Sequence, residues 1–322
     1  MDAYRAPGWL PGGHLQTIVP ALFSHTPDVR YRRERWNTPD GDFIDLDWIG
    51  DRPQAPLVVL FHGLEGSSQS HYAKALMARL LATGWNGCVP HFRGCSGEAN
   101  LAPRAYHAGD SAEVDWIVRQ MRRRHAQGPL FLAGVSLGGN QLLKWLGEQG
   151  AAAQAMVAAA AAVSAPLDLV ACGRVLDYGV NRQLYTRNFL KTLKPKAIDK
   201  LRVYPGLANA EQVARARTFK EFDRLFTAPV HGYIDHQDYW QRASSKPLLK
   251  SIAVPTLLLN ARNDPFIPDD ALPHADEVAA CVECEFPATG GHVGFAQGGF
   301  PGHVDWLPQR LLGFFSGHLQ PG

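Results

Sequence analysis

The sequence has no apolar run long enough to cross a bilayer. The best candidate, 155–165, is rich in Ala but short, and Gln154 and Asp168 flank it closely. No stable membrane insertion is expected. The opening residues 1–10 include Asp2, Arg5 and Pro7 and build no signal-peptide core, so the expected location is cytoplasmic. An excess of one charge is missing too. A net charge of +2, from 32 basic and 30 acidic residues, leaves nothing to hold a phosphate backbone and argues against nucleic acid as a partner. The densest basic run, Arg122-Arg123-Arg124, closes an amphipathic stretch over 110–126 and reads as the solvated end of a helix.

Cysteine is scarce and odd in number: of 5, Cys88, Cys95 and Cys172 are scattered, which excludes a disulfide framework. Cys281 and Cys284 form a CxxC pair. A redox pair would open a helix and zinc would need two more ligands close by, so these read as ordinary strand-end cysteines. Internal repeats and low-complexity linkers are likewise missing.

What is present is the texture of a globular enzyme: 322 residues, 46% of them hydrophobic, enough for one large domain over 1–322. Short apolar runs at 57–61, 87–92 and 130–135 read as buried strands, alternating with helical patterns at 72–82 and 110–126. That rhythm predicts an α/β fold with a mostly parallel sheet and crossover helices. Ahead of it, 29–36 and 43–49 flank Pro39-Asp40-Gly41, a turn sequence, and predict an antiparallel hairpin at the sheet edge. The Ala-rich run 156–163 ends at Ser164-Ala165-Pro166 and reads as a further buried strand.

After residue 168 the texture changes. The segment 168–250 is polar and aromatic with helical stretches such as 212–226, and predicts a helical cap inserted over the sheet. The strand and helix rhythm returns with a strand at 256–260, a helix near 269–280, a strand at 282–286 and a closing helix at 304–315.

The chemistry centres on Gly134-Val135-Ser136-Leu137-Gly138, set between the strand 130–135 and a helical stretch at 141–146. A serine on such a strand-to-helix turn is held in a strained backbone, with its hydroxyl pushed into the cleft at the strand end. A hydroxyl is a poor nucleophile at neutral pH and needs a base, and the base needs an anion to fix its tautomer. Asp264, in the loop after 256–260, and His292, in the loop after 282–286, stand in the required order. Asp269 and Asp270 are rivals to Asp264, but Pro268 makes them read as residues of a following first helical turn. His303 and His318 lie beside or beyond the last helix, and His231 and His236 lie in the insertion. The predicted oxyanion donors are the backbone amides of Leu137, next to the nucleophile, and Leu64, in the His62-Gly63-Leu64 loop. His62 reads as a brace for that loop, and the bulk of Leu64 predicts a narrow acyl pocket.

These segments together resemble the YheT-like branch of the α/β-hydrolases, a group of esterases related to animal lipases and phospholipases. The resemblance covers 12–17 (Gly-Gly-His-Leu-Gln-Thr), 62–72, 91–98, 134–140, Phe222-Asp223, His231-Gly232-Tyr233, Asp264-Pro265-Phe266 and 290–295. Asp238-Tyr239-Trp240 stands where the family pattern has Asp-Tyr-Tyr. The resemblance implies the α/β-hydrolase fold, Ser136, Asp264 and His292 as the triad, a small-molecule ester of short or medium chain as substrate, and no metal or organic cofactor. A serine at the nucleophile position excludes haloalkane dehalogenases and epoxide hydrolases, which need a carboxylate there. Thioesterases and cofactor-free perhydrolases share the triad, and a binding module that has lost the chemistry would share the fold. Of the cap aromatics, Tyr178, Tyr185, Phe189, Tyr233, Tyr239 and Trp240, about one in four is expected to face substrate, the others packing the cap onto the sheet.

Overall fold

A computed structural model describes residues 4–319, so the first three residues of the opening stretch read above lie outside the described part. Eight strands form one sheet: β1 (Arg32–Asn37), β2 (Phe43–Ile49), β3 (Leu57–Phe61), β4 (Asn86–Pro90), β5 (Leu130–Val135), β6 (Ala159–Val163), β7 (Thr256–Leu259) and β8 (Val282–Glu285). Their order is β1-β2-β4-β3-β5-β6-β7-β8. β2 pairs antiparallel with β1 and β4, and every other pair is parallel. The hairpin of β1 and β2 closes one edge, as its turn sequence predicts.

The central strands are apolar throughout because both faces of the sheet are covered. In β3, Leu57, Val59 and Phe61 enter one core while Val58 and Leu60 enter the other. Helices α3 (Ser111–Arg124) and α4 (Leu137–Gln149) fill the first core with Ile117, Leu142 and Leu146. α2 (His71–Ala82) and the closing helix Trp306–Ser316 fill the second with Leu76, Met77 and Phe315. Arg122 donates to the carbonyls of His125 and Gly128 just past the end of α3, so the basic run serves the helix end. The α/β-hydrolase architecture predicted from the sequence is the one observed.

Several boundaries differ. The region 269–280 is no helix: it holds only two short 3₁₀ turns, Asp269–Ala271 and Ala275–Glu277. Asp269 instead pairs with Arg262 at 2.8 Å. The stretch 212–226 is broken into Ala210–Arg215, Phe219–Phe222 and the start of a π turn at Asp223–Thr227. β6 starts only at Ala159, because the amides of Met156 and Val157 still bond back to the Ala153 carbonyl of the preceding 3₁₀ helix.

Between β6 and β7 no strand occurs among the described residues. Helices Leu169–Leu176, Arg187–Val203, Ala210–Arg215 and His236–Ala243 occupy this segment. Arg187–Val203, Ala210–Arg215 and the π turn after them share a small core of their own around Leu190, Leu201, Val213 and Phe226, while Tyr239 and Trp240 of His236–Ala243 pack into the first core of the sheet. Among the described residues no helix is long and apolar enough to cross a membrane.

Candidate active site

β5 runs into α4 through Ser136, whose φ of 53° and ψ of −122° lie in the left-handed half of backbone space. That cost is sustained because the turn leaves no room for anything else. A Cβ on Gly134 would overlap the backbone of Gly138 and Gly139, and one on Gly138 would overlap the carbonyls of Phe61 and His62. The two glycines flanking the serine thus let α4 close down on β3 and β5, and the serine is driven outward.

The loops after β7 and β8 converge on it. His292 Nε2 lies 2.9 Å from Ser136 Oγ, and His292 Nδ1 lies 2.8 Å from Asp264 Oδ2. A carboxylate accepts, so Nδ1 carries the hydrogen and Nε2 is left to accept the Ser136 hydroxyl proton. The Asp264 side chain is fully buried, and its second oxygen accepts the Phe266 N–H at 2.8 Å. The Phe266 ring stacks on the imidazole with centroids 4.0 Å apart, so the ring plane of His292 is fixed from one side.

Above Ser136, the amides of Gly63 and Glu65 are spoken for, donating to the hydroxyls of Tyr72 at 2.8 Å and Tyr106 at 2.9 Å. The amide between them is not. Among the described residues, neither Leu64 N–H nor Leu137 N–H has an acceptor. Both residues line the same cavity as Ser136 and His292. His62 accepts the Phe92 N–H at Nε2 (3.0 Å), so its Nδ1–H donates to the Gly63 carbonyl (2.8 Å). Burial pushes this imidazole down to about 3, so it stays neutral and serves as a brace.

The cavity measures about 130 Å³ and is mostly apolar, walled by Leu64, Leu169, Leu176, Phe189, Phe219 and Phe266 among others. Of the six cap aromatics singled out above, Phe189, Tyr239 and Trp240 line it, a larger share than the pattern suggested. Tyr185 packs under Phe266, and Tyr178 is exposed.

Three groups of residues had no assigned role in the sequence reading. The first is α1 (Gly12–Leu22), whose opening turn wedges between the acid and histidine loops. Gln16 Oε1 accepts from Asn263 Nδ2 and from the Gly290 amide, both at 2.9 Å. Thr17 Oγ1 accepts the His292 amide at 2.8 Å and donates to the Gly13 carbonyl at 2.7 Å. The fit is tight: a Cβ on Gly13 would overlap the Asn263 carbonyl, and one on Gly294 would overlap the Gln16 carbonyl. The only sequence signal was the Gly-Gly-His-Leu-Gln-Thr run itself.

The second is the 91–98 run, which builds a buried ion network away from the serine. Arg93 reaches Asp42 at 2.8 Å and Glu113 at 2.5 Å, and His91 reaches Asp47 at 3.0 Å. The third is Asp223, a part-buried carboxyl in the cavity wall, with which no cation pairs among the described residues. It accepts from Thr227 Oγ1 and from Trp240 Nε1, each at 2.7 Å, so the tryptophan that departs from the family pattern supplies a donor.

Burial pushes Asp223 up to about 7, and Asp177 adds to the rise. The folded state therefore holds this proton far more tightly than the unfolded chain, where an aspartate titrates near ~3.9. The contribution to stability is full in acid and is lost as pH rises through about 7. An Asp223→Asn variant, which keeps an acceptor for Trp240 and can donate its amide N–H to Thr227 Oγ1 with that bond reversed, should lack this loss. Thermal unfolding between about pH 5 and pH 8 is expected to show the parent falling relative to the variant; parallel curves would contradict the assignment.

Residues 56–299 match the α/β hydrolase fold family profile. The chain belongs to that family and is a hydrolase of its YheT-like branch. It is 40% identical to YheT of Escherichia coli (strain K12) over 312 residues, covering 95% of this chain and 91% of that one. It is 30% identical to phospholipase ABHD3 of Mus musculus over 331 residues, covering 100% of this chain and 80% of the relative. Among solved structures, the Pyrococcus furiosus esterase Pf2001 superposes with a TM-score of 0.57 at 17% identity, over 92% of this chain and 99% of that one. The brace formed by 12–17 lies outside the segment that the fold family matches.

Proposed function

We propose that this protein is a serine carboxylesterase that cleaves short- to medium-chain carboxylic esters through an acyl-enzyme on Ser136. The observation that carries this reading is the unbroken hydrogen-bonded run from Ser136 through His292 to Asp264 at an apolar cavity. His292 Nε2 takes the Ser136 proton as Oγ attacks the ester carbonyl, and Asp264 stabilises the imidazolium. The carbonyl oxygen, now anionic, accepts from Leu64 N–H and Leu137 N–H, each worth roughly 3 kcal/mol of barrier. His292 then gives its proton to the departing alcohol. Water, deprotonated by the same nitrogen, attacks the acyl-enzyme, and His292 returns the proton to Ser136 as the acid leaves.

The cavity size speaks for the chain length. At about 130 Å³ it is comparable to an apolar cavity of ~150 Å³ that accepts benzene, so roughly six carbons of acyl chain fit within it. In this reading the 168–250 segment acts as a cap that selects acyl length through Phe189, Tyr239 and Trp240. The esterase, phospholipase and monoacylglycerol lipase names among the relatives are in keeping with ester substrates.

The test has two arms. A fluorophosphonate probe is expected to label the folded protein on Ser136, located by peptide mapping. A panel of nitrophenyl esters from two to twelve carbons is expected to give its highest kcat/KM at or below about eight carbons. An unlabelled serine would remove the esterase reading, and an optimum at twelve carbons would remove the chain-length reading alone.

A further inference from the structure

The near-neutral chain hides an uneven charge distribution. Between residues 169 and 224 there are 12 Lys and Arg against 5 Asp and Glu, whereas the whole chain holds 32 against 30, so the remainder is net acidic. Part of this excess is gathered in one place. A groove of about 460 Å³ on the helix Arg187–Val203 is lined by Arg182, Arg187, Lys191, Lys194 and Arg217, with no carboxylate among its lining residues. Neighbouring Lys196, Arg202 and Arg215 have acidic partners. Among the described residues, none of the five groove cations has one. Lys194 is held by the carbonyls of Ala214 and Ala216 at the end of the helix Ala210–Arg215, while Arg187 and Arg217 are exposed and Arg182 is half-buried.

Apolar side chains continue this surface. Tyr178, Val180 and Leu184 are 82%, 59% and 38% exposed. Val180 and Leu184 precede Arg187 and Lys191 along one continuous helical run, through Gly179–Asn181, a π turn at Arg182–Thr186 and Arg187–Val203, so aliphatic and cationic groups adjoin along it. Tyr178 and Val180 also line a shallow hollow with Arg174. Exposed aliphatics and a tyrosine beside unpaired cations form the surface that lies on a bilayer: the apolar groups enter the headgroup boundary and the cations meet anionic lipid. A single-stranded nucleic acid would need aromatic faces within the cationic groove for its bases, and the groove lining has none.

We propose that this cap face, built on Arg182, Arg187, Lys191 and Arg217 with Tyr178, Val180 and Leu184 beside them, docks the protein peripherally on an anionic lipid surface. The same helix turns Phe189 and Leu193 inward to the cavity at Ser136. Docking through its outer side brings that cavity next to the bilayer. The proposal goes beyond the esterase reading and does not depend on it.

The test uses the full chain carrying Ser136→Ala, so that binding is read without turnover. Cosedimentation is measured with vesicles of phosphatidylcholine alone and of phosphatidylcholine with phosphatidylserine. Binding to the mixed vesicles and not to the neutral ones is expected, weakening steeply with salt. Removing four cations (R182Q/R187Q/K191Q/R217Q) should lower the partition coefficient at least roughly a hundredfold, because each near-surface cation is worth roughly fivefold. Val180→Ser with Leu184→Ser should lower it further at high salt. Folding of the surface variants is checked by circular dichroism and thermal unfolding. If they do not fold, the lipid and salt dependence of the Ser136→Ala chain decides alone. Equal binding to both vesicle types, no binding to either, or full binding by a folded quadruple variant would overturn the proposal. So would release from the vesicles by a single-stranded oligonucleotide that binds the same groove more tightly.

Discussion

Ser136→Ala is expected to lower ester turnover by roughly four to six orders of magnitude while leaving the fold intact. The loss is large because the steps of the proposed reaction form one chain. Without Oγ there is no acyl-enzyme, and His292, 2.9 Å from the missing oxygen, has no proton to take. The free amides of Leu64 and Leu137 and the apolar cavity remain, so binding survives and a small residual rate over water is expected. Steady-state kinetics with a nitrophenyl ester, beside inhibitor binding, separates the two: kcat should collapse while affinity for a non-reactive ester analogue stays near that of the parent. A variant with near-parent turnover would show that the nucleophile lies elsewhere.

The second large effect is expected at a residue remote from the serine in sequence. Gly13→Ala places a methyl group on the Asn263 carbonyl, the residue before Asp264. Either α1 or the acid loop must move. Displacement by ~1 Å of a catalytic group is enough to cost roughly a hundredfold in rate, and overpacking of this kind costs about 1–3 kcal/mol of stability. The expected result is therefore a fall in kcat/KM of roughly a hundredfold or more, with a lower Tm and slower labelling by a fluorophosphonate. Gly8→Ala is the control, because a Cβ there meets nothing within 4 Å. Equal behaviour of the two variants would mean that the wedge of α1 does not set the geometry of the loops.

The contrast between serine and wedge shows what a sequence makes legible. β3 and β5 were readable to the residue, since each is an unbroken apolar run with both faces buried. Ser136, Asp264 and His292 were nameable because each follows a strand, and strand ends are where a parallel sheet collects its loops. The region 269–280 failed for a physical reason. Its apolar residues Ala271 and Leu272 are buried by packing beneath the cap, against Tyr185 and Phe266, and loop residues buried in this way mimic a helical stripe. The role of Gln16 and Thr17 was beyond reading because their partners are backbone amides at Gly290 and His292, whose positions no local pattern encodes. Asp223 was hidden for a similar reason: its burial is a property of the assembled cap.

The bonds from Gln16 to Gly290 and from Thr17 to His292 join residues 274 and 275 positions apart in the chain. Contacts of such separation form late, after shorter loops have closed. During synthesis α1 leaves the ribosome early and waits, without its partners, until the segment after β8 has been made. On the proposed reading, a nascent chain that stalls before residue 290 carries Ser136 without its base, and so without esterase activity.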